Sequence, residues 1–323
     1  MNSNYISIVL LLILGITSCI VSADTVYVTI EKDNALAIVN GETGERIKSI
    51  AIGRRPRGIA LSADGKQLYV AVSDDNQIKV LDRATLTISS VLPSGEDPET
   101  FAVDPQGRLM YVSNEDDNLV TVIDLASAKL VKTIPVGVEP EGIAVSPDGK
   151  WVVSASETTN MVHWIDPKTH TILHNTLVDP RPRALQFTVD GQELWVSSEI
   201  GGTVSVFDVA SRTLKHKISF KIPGVTSEKI QPVGVVIDAK RRWAYVALGP
   251  ANRVAVIDAQ KYTVKDYLLV GHRVWNMTFS PDSKRLYTTN GASHDISMID
   301  LDEHKVTKSV AVGRFPWGVV AAP

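Results

Sequence analysis

Short runs of alternating apolar and polar residues recur along most of the chain, and Gly, Pro, Asp or Asn bounds each run. Runs of this length with turn residues between them are typical of β-strands. One stretch predicts four consecutive strands, at 142–145, 151–153, 161–165 and from 171 onward. The sequence Ser146-Pro147-Asp148-Gly149 predicts the first turn. Helical periodicity is lacking, so we predict an all-β protein.

The four-strand unit repeats along the chain, and the repeat predicts the fold. One column of residues heads the second strands: Tyr27, Tyr69, Tyr111, Val153, Trp195, Tyr245 and Tyr287. Another ends the third strands: Asn40, Asp82, Asp124, Asp166, Asp208, Asp258 and Asp300. Both columns advance in steps of 42, 42, 42, 42, 50 and 42 residues. Four strands in about 40 residues are the signature of a β-propeller blade, and seven copies predict seven blades.

The two ends of the repeat region complement each other. The region begins with a second strand at 25–28 and ends with a lone first strand at 318–321. Pairing the N-terminal strands with this C-terminal strand completes one blade and removes open sheet edges. The predicted fold is therefore a seven-bladed β-propeller of four-stranded blades, with residues 24–323 as a single domain.

Residues 1–23 have a different pattern. An apolar run at 6–16 is too short to span a membrane, and Val21-Ser22-Ala23 suits cleavage before residue 24. We therefore predict an export signal peptide, a periplasmic protein and no membrane span in the mature chain. A lipobox-like motif ending at Cys19 leaves a second form open, a lipoprotein anchored through that cysteine. Cys19 is the single cysteine, so no internal disulfide is expected.

Composition restricts the classes of partner. The chain has a formal net charge of −3 and 44% hydrophobic residues. That hydrophobic content fits a packed globular protein, and the charge gives no reason to expect nucleic acid as a partner. We expect a monomer.

Several segments resemble a known repeat family. Leu68-Tyr69-Val70 and Tyr111-Val112-Ser113-Asn114, with 120–124 and 140–150, resemble the YVTN-type propeller repeat. The segments that differ between repeats resemble the exported propeller associated with pyrroloquinoline-quinone-dependent (PQQ-dependent) alcohol catabolism; they are 114–122, 156–161, 197–203, 247–254 and 313–318. The resemblance implies a periplasmic setting beside quinoprotein oxidation and transport of alcohols. It brings no catalytic residues, and at position 294 the family pattern has Asn where this chain has His294.

The loops that lead into the first strands differ most between copies, and we call them the mouth loops. First strands are innermost in a propeller, so these loops surround one mouth of the central channel. Immediately before the first strands we expect Arg57, Glu99, Glu141, Arg183, Val233, Trp275 and Trp317. Two residues upstream are Arg55, Asp97, Glu139, Arg181, Gln231, Arg273 and Phe315. The candidate ligand-binding residues are Arg55, Arg57, Glu99, Glu141, Arg181, Arg183, Arg273, Trp275, Phe315 and Trp317.

Two interpretations of this ring stay open. Large aromatic side chains beside Arg suit a planar anion such as PQQ, or a protein partner. The partners that the resemblance implies are a quinoprotein alcohol dehydrogenase, a cytochrome c or a transporter component. In the structural interpretation, the tryptophans plug the channel and the first four charges of each column cancel. Arg57 then faces Glu99, and Glu141 faces Arg183.

Catalytic motifs are lacking. The sequence has neither a Gly-x-Ser-x-Gly elbow nor zinc-type histidine spacing, so we predict no catalytic residues, no metal site and no required cofactor. The leading prediction is a non-catalytic binding protein. The alternatives are an interaction scaffold and a metal-dependent lactonase or hydrolase using Glu99 and Glu141, although neighbouring Arg57 and Arg183 would compete with a cation. Haem or metal ligation by His272 and His294 also stays open.

Two other features lie next to the mouth loops. An Asn column between the second and third strands is predicted to be structural; its members are Asn34, Asn76, Asn118, Asn160 and Asn252. The single step of 50 residues implies an insertion of eight residues near 220–230. Extra loop length on a rigid scaffold is either a lid over the mouth or a surface excursion.

Overall fold

The computed structural model describes residues 24–323, which form seven four-stranded antiparallel sheets. The first strand of every sheet contacts the first strands of both neighbouring sheets, and these contacts close into a ring. The predicted seven-bladed β-propeller is therefore confirmed. The predicted signal peptide at 1–23, including Cys19, lies outside the described residues. Across 24–323, no helix has the length and apolar character needed to cross a membrane.

The strands follow one another in chain order, with short 3₁₀ turns at Glu31–Asp33, Ser73–Asp75 and Ser227–Lys229. They are β1 Thr25–Ile30, β2 Ala35–Asn40, β3 Arg46–Ala51, β4 Pro56–Leu61, β5 Gln67–Val72, β6 Gln77–Asp82, β7 Thr87–Pro93, β8 Pro98–Val103, β9 Leu109–Asn114, β10 Leu119–Asp124, β11 Lys129–Pro135, β12 Pro140–Val145, β13 Val152–Ser156, β14 Met161–Asp166, β15 Thr171–Leu177, β16 Pro182–Phe187, β17 Glu193–Ser198, β18 Thr203–Asp208, β19 Thr213–Ser219, β20 Pro232–Ile237, β21 Trp243–Leu248, β22 Arg253–Asp258, β23 Thr263–Leu269, β24 Val274–Phe279, β25 Arg285–Asn290, β26 Asp295–Asp300, β27 Lys305–Ala311 and β28 Pro316–Ala322. Blades 1 to 6 take β4 to β27 in groups of four, and blade 7 has the order β28-β1-β2-β3.

Blade 7 closes the ring as the sequence predicts. β1 pairs antiparallel with β28, in a register that places Thr25 opposite Ala322 and Val28 opposite Val319. Three strands from the start of the described chain and one from its end thus share a sheet. This pairing satisfies the backbone groups that an open blade would expose.

The first strands begin earlier than predicted and contain a bulge. In blade 3, Pro140 pairs with Ser156 and the next pair is Ile143 with Ser154. Two residues, Glu141 and Gly142, therefore oppose one, which is the geometry of a β-bulge. The register shifts at the same place in the other blades. Residues expected immediately before the first strands, such as Glu141, thus lie inside them.

Apolar side chains pack between neighbouring blades. Between blades 1 and 2, for example, Tyr69 and Val80 pack with Met110 and Ile123, all at most 7% exposed. Seven such clusters occupy the interfaces between blades around the ring. Their burial supplies most of the driving force for folding, because buried apolar area is the dominant favourable contribution to stability.

The Asn column joins each blade to the next mouth loop. Asn118 has a left-handed backbone, with φ of 57°, and its Oδ1 accepts the backbone N–H of Glu139 at 3.0 Å. The other four members accept equivalent bonds. In blade 6, the N–H of Phe315 instead lies 3.2 Å from Nδ1 of His294, which also lies 2.9 Å from the Gly291 carbonyl oxygen. The structural role predicted for the column is therefore confirmed, and His294 takes the place of an Asn.

The insertion is packed into the propeller. Ile222 and Ile230 are buried in the cluster between blades 4 and 5, and the backbone N–H of Lys221 donates to Tyr267 Oη at 3.0 Å. Gly202 occupies the Asn position of blade 4, where an added Cβ would lie 3.5 Å from the Ile230 carbonyl. The insertion thus replaces the polar link of that blade with apolar packing.

Candidate functional site at the channel mouth

The two predicted columns, which begin with Arg57 and with Arg55, form two layers of side chains at the mouth. The structure shows a third layer that the sequence did not lead us to predict. Each member directly follows a second strand: Glu31, Ser73, Glu115, Glu157, Glu199, Gly249 and Gly291. They have the same spacing as the other columns, so comparing equivalent positions between the repeats could have found them. Backbone bonds attach this layer to the mouth loops, as where the Glu157 N–H donates to the Glu139 carbonyl at 2.9 Å. The third layer adds four carboxyl groups to the ring.

Blades 1 and 2 form one half of the charged network. Nη1 of Arg55 lies 2.7 and 2.8 Å from the two carboxylate oxygens of Asp97, and its Nη2 lies 2.8 Å from Glu99 Oε1. Arg57 lies 3.5 Å from the same Glu99 oxygen and 3.8 Å from Glu31. The predicted pairing of Arg57 with Glu99 is confirmed, but Arg55 is the closer partner.

Blades 3 and 4 form the other half around Arg183. This side chain is 7% exposed and its Nη1 lies 2.6 Å from Glu141, as predicted, and against Glu157. Arg181 bridges the third layer, at 2.8 Å from Glu157 and 3.1 Å from Glu199. Arg183 and its partners Glu141 and Glu157 are all buried, so removing one of these charges would leave another buried charge unpaired.

The aromatic side chains stack against the network. Trp317 is 4% exposed beneath Arg57, whose guanidinium carbon lies 5.1 Å from the ring centre. Trp275 is sandwiched between Arg273 at 4.4 Å and Arg183 at 5.6 Å. These are cation–π distances. The aromatic faces are therefore occupied by the protein's own arginines, which agrees with the structural interpretation of the two tryptophans.

Phe315 differs from the tryptophans because it faces solvent. Its side chain is 37% exposed, beside the His294 ring at a centroid distance of 5.2 Å. Val138, in the mouth loop of blade 3, is 42% exposed. Ile200, which follows Glu199 of the third layer, is 65% exposed. Apolar groups thus stand on the outer rim beside the exposed Arg181 and Arg273, whereas Glu99, Glu141 and Arg183 are buried.

Carboxyl groups outnumber guanidinium groups at the mouth. Its three layers hold eight carboxyl groups and five guanidinium groups. Burial raises the pKa of Glu99 to about 7, and burial together with the nearby Glu99 raises that of Glu115 to about 8. Burial also raises the pKa of Glu141. The first four charges of each predicted column cancel as expected, and the third layer adds four carboxyl groups and no guanidinium group.

One group of carboxylates has the spacing of metal ligands. Oxygens of Asp97, Glu99 and Glu115 lie within 4.8 Å of one another. We expected no metal site, and our alternative used Glu99 with Glu141. The structure instead places Glu141 against Arg183 and brings Asp97 and Glu115 to Glu99. The nearest competing cation is Arg55, not Arg183.

Below the mouth, the first strands enclose a channel cavity of about 290 Å³. The apolar side chains of Ile59, Phe101 and Leu185 are among its lining residues. Glu141, Arg183 and Trp317 also line it. A ligand in this cavity would therefore lie against the buried Glu141–Arg183 pair.

Fold and site together define the class of the protein, a closed seven-bladed β-propeller with an ion-paired channel mouth. The profile of the choice-of-anchor I domain matches residues 126–303, more than half of the chain, and the chain belongs to this family. The profile of the cytochrome D1 heme domain matches residues 63–158. No curated protein matches the sequence.

Solved structures of other propellers are similar in fold. A protein provisionally assigned as a 6-phosphogluconolactonase from Bacteroides fragilis has a TM-score of 0.79 at 19% identity, covering 95% of this chain and 99% of its own. Hydrazine synthase of Kuenenia stuttgartiensis has a TM-score of 0.78 at 19% identity, covering 85% and 92%. The dihydro-heme d1 dehydrogenase NirN in complex with DHE has a TM-score of 0.67 at 18% identity, covering 89% and 63%. At these identities the similarity shows the propeller fold alone.

Proposed function

We propose that this protein is an exported, non-catalytic binding propeller that docks a partner protein on its mouth face. The proposed setting is PQQ-dependent alcohol oxidation in the periplasm, which rests on the resemblance of the variable segments. The partner is then a quinoprotein alcohol dehydrogenase, a cytochrome c or a transporter component. Export rests on the predicted signal peptide at 1–23, and the mass of the mature protein distinguishes that form from a lipoprotein anchored at Cys19.

The observation that carries the docking proposal is the composition of the mouth rim. Ile200, Val138 and Phe315 are exposed there, whereas Glu99, Glu141 and Arg183 are buried. Apart from Val189, the other exposed large apolar side chains lie on the outer, fourth strands of the blades. Exposed apolar groups surrounded by polar ones are typical of protein interfaces. The mouth loops also vary from blade to blade, as a recognition surface on a repeated scaffold does.

The charge of the mouth indicates the kind of partner surface. Carboxyl groups outnumber guanidinium groups by three in the three layers. Electrostatic complementarity speeds association and selects partners. Part of this excess is uncharged near pH 7 because burial raises the pKa of Glu99 and Glu115, so the fit to a basic patch on the partner is weak, and raising the salt concentration should slow association only slightly.

Partner capture from periplasm tests the proposal. The wild-type protein should retain a dehydrogenase, cytochrome or transporter component, and Ile200→Glu should reduce its recovery at least about tenfold, because one charge in an apolar interface costs more than 1.4 kcal/mol. Val189→Glu is the matched control, since Val189 is similarly exposed, at 62% against 65% for Ile200, but lies in the turn between β16 and β17. Equal capture by wild type and Ile200→Glu, or equal loss in both variants, would refute mouth-face docking.

PQQ binding is the second candidate. Arg181 and Arg273 are the most exposed arginines of the network, at 44% and 38%, and Arg273 stacks on Trp275. A bound quinone would quench tryptophan fluorescence, and Arg273→Ala with Trp275→Ala should abolish the change. Titration to high micromolar quinone without quenching excludes this candidate and leaves partner docking in place.

A further inference from the structure

Three carboxyl groups converge on the mouth beside blade 2, held by the backbone. Asp97 lies in a mouth loop with a left-handed φ of 49°, and its N–H donates to Asn76 Oδ1 at 3.0 Å. Glu99 lies in the bulge of β8, and Glu115 directly follows β9. The Glu115 N–H donates to the Asp97 carbonyl at 3.0 Å. The three backbone positions are thus fixed before any ligand arrives, as preorganised binding sites require.

A second observation is that one buried carboxylate oxygen of this cluster has no partner, although Arg55 pairs with Asp97 and with the other oxygen of Glu99. Glu99 is 1% exposed, and its Oε2 has no hydrogen-bond partner. Both neighbouring arginines, Arg55 and Arg57, approach the other oxygen, Oε1. A buried carboxylate oxygen without a donor or cation is costly. A cation held by Asp97, Glu99 and Glu115 would give this oxygen a partner.

We propose that Asp97, Glu99 and Glu115 bind a hard divalent cation of the Ca²⁺ class at the channel mouth. The donor set is entirely oxygen, and Ca²⁺ takes six to eight oxygen ligands in flexible geometry. Asp97 and Glu115 are partly exposed, so water can complete the coordination. The group contains neither His nor Cys, which disfavours zinc. The site does not depend on partner docking.

Arg55 determines how strongly the cation binds. Its guanidinium contacts both Asp97 oxygens and Glu99 Oε1, so it competes for the same ligands. The Arg55 side chain is 25% exposed, and the more exposed Asp74 lies 3.9 Å away as an alternative partner. Cation binding therefore transfers Arg55 toward Asp74. It follows that removing Arg55 strengthens cation binding, whereas a purely structural ion pair gives no such gain.

Calorimetric titration of the mature, EDTA-treated protein with CaCl₂ tests the site. Wild type should bind one Ca²⁺, and Glu115→Gln should weaken binding at least about tenfold because it removes a charged ligand. Glu157→Gln is the matched control, since Glu157 occupies the same column in blade 3 but contacts Arg181 and Arg183. Its affinity for Ca²⁺ should stay within about twofold of wild type.

A second pair of variants keeps the test decisive if Glu115→Gln folds poorly. Arg55→Gln should tighten Ca²⁺ binding at least about threefold by removing the competing charge, and Arg181→Gln should leave it unchanged. Thermal melts in EDTA and in Ca²⁺ report folding for every variant. No saturable heat at millimolar Ca²⁺, equal weakening by Glu157→Gln, or weaker binding by Arg55→Gln would each overturn the site. Partner capture in EDTA tests the docking proposal separately.

Discussion

At the scale of single residues, a buried histidine gives the protein a predictable response to pH. His163 is 5% exposed. Its Nδ1 lies 2.7 Å from Asn175 Oδ1, so it donates there, and its Nε2 accepts the Gly137 N–H at 3.0 Å. These bonds require the neutral ring. Burial accordingly lowers the pKa of His163 below its usual value.

Acidification should therefore destabilise the protein through His163. Below pH of about 6.5 the unfolded chain takes up a proton that the folded ring resists, so stability is present above this pH and falls by at most about 1.4 kcal/mol per unit as pH decreases. Urea unfolding at pH 7.5 and pH 5 measures the loss. His163→Asn should lose less unfolding free energy between these pH values than wild type does. His174→Asn is the control, since His174 is exposed, and its loss should equal that of wild type. An unchanged pH dependence in His163→Asn would contradict the assignment.

Residue roles were predictable from the sequence where equivalent positions could be compared between the seven repeats. The two mouth columns and the pairs Arg57–Glu99 and Glu141–Arg183 follow from ring adjacency alone. The acidic third layer follows from the same spacing but belongs to a different loop. Its proximity to the mouth depends on the bulge, which places two residues of the first strand against one of the second. Sequence periodicity does not reveal that local geometry.

At the scale of elements, the bulge is the feature that sets how close neighbouring first strands come. In blade 3, a Cβ added at Gly142 would collide with the backbone carbonyl of Arg183 in the next blade. The same bulge position in blade 4 is occupied by Ala184. Gly58, Gly234 and Gly318 approach the backbone of the next blade in the same way, and the approach at Gly142, beside the Glu141–Arg183 pair, is the closest of the four.

Gly142→Ala should therefore destabilise the protein strongly. The collision is with backbone, which cannot move without shifting β16, so we expect a loss of about 2 kcal/mol or more in the free energy of unfolding. The reverse change at the equivalent position, Ala184→Gly, removes a methyl group and should cost only about 1 kcal/mol. Chemical denaturation of both variants checks the difference. Equal losses would show that the approach of the two strands relaxes freely.

The insertion shows the limit of sequence reasoning about elements. Its length and position were evident from one irregular step, but its role was not. Whether the segment covers the mouth depends on the packing of Ile222 and Ile230 against Trp195 and Val204, which are distant in sequence. From the sequence, two apolar residues in this loop are compatible with a lid over the mouth or with a segment anchored in the core. The tertiary contacts of Ile222 and Ile230 show that the segment is anchored in the core.

At the scale of the whole molecule, ring closure joins the two ends of the described chain and makes the propeller cooperative. Each blade packs on two neighbours, so an open ring would expose two apolar faces. Closure was predictable because strand count and phase are properties of the repeat. What occupies the mouth was not, since function resides in side chains placed on a shared fold.

A circular permutant tests whether closure depends on the natural position of the ends. Thr25 and Ala322 are paired across β1 and β28, so a linker of about four residues can join the ends. A new break after Gly65, in the turn between β4 and β5, leaves blade 1 with β4 at the new C-terminus and β5 to β7 at the new N-terminus. This arrangement repeats in blade 1 the closure that blade 7 has naturally. The permutant should therefore fold with a melting temperature within about 5 °C of wild type.

A chain ending at 315, which lacks β28, should instead lose cooperative unfolding and aggregate through the exposed edge of β1. If the shortened chain melted like wild type, closure would not be the source of cooperativity. If the permutant failed to fold while its linker was intact, blade 7 would carry information that the other six blades do not.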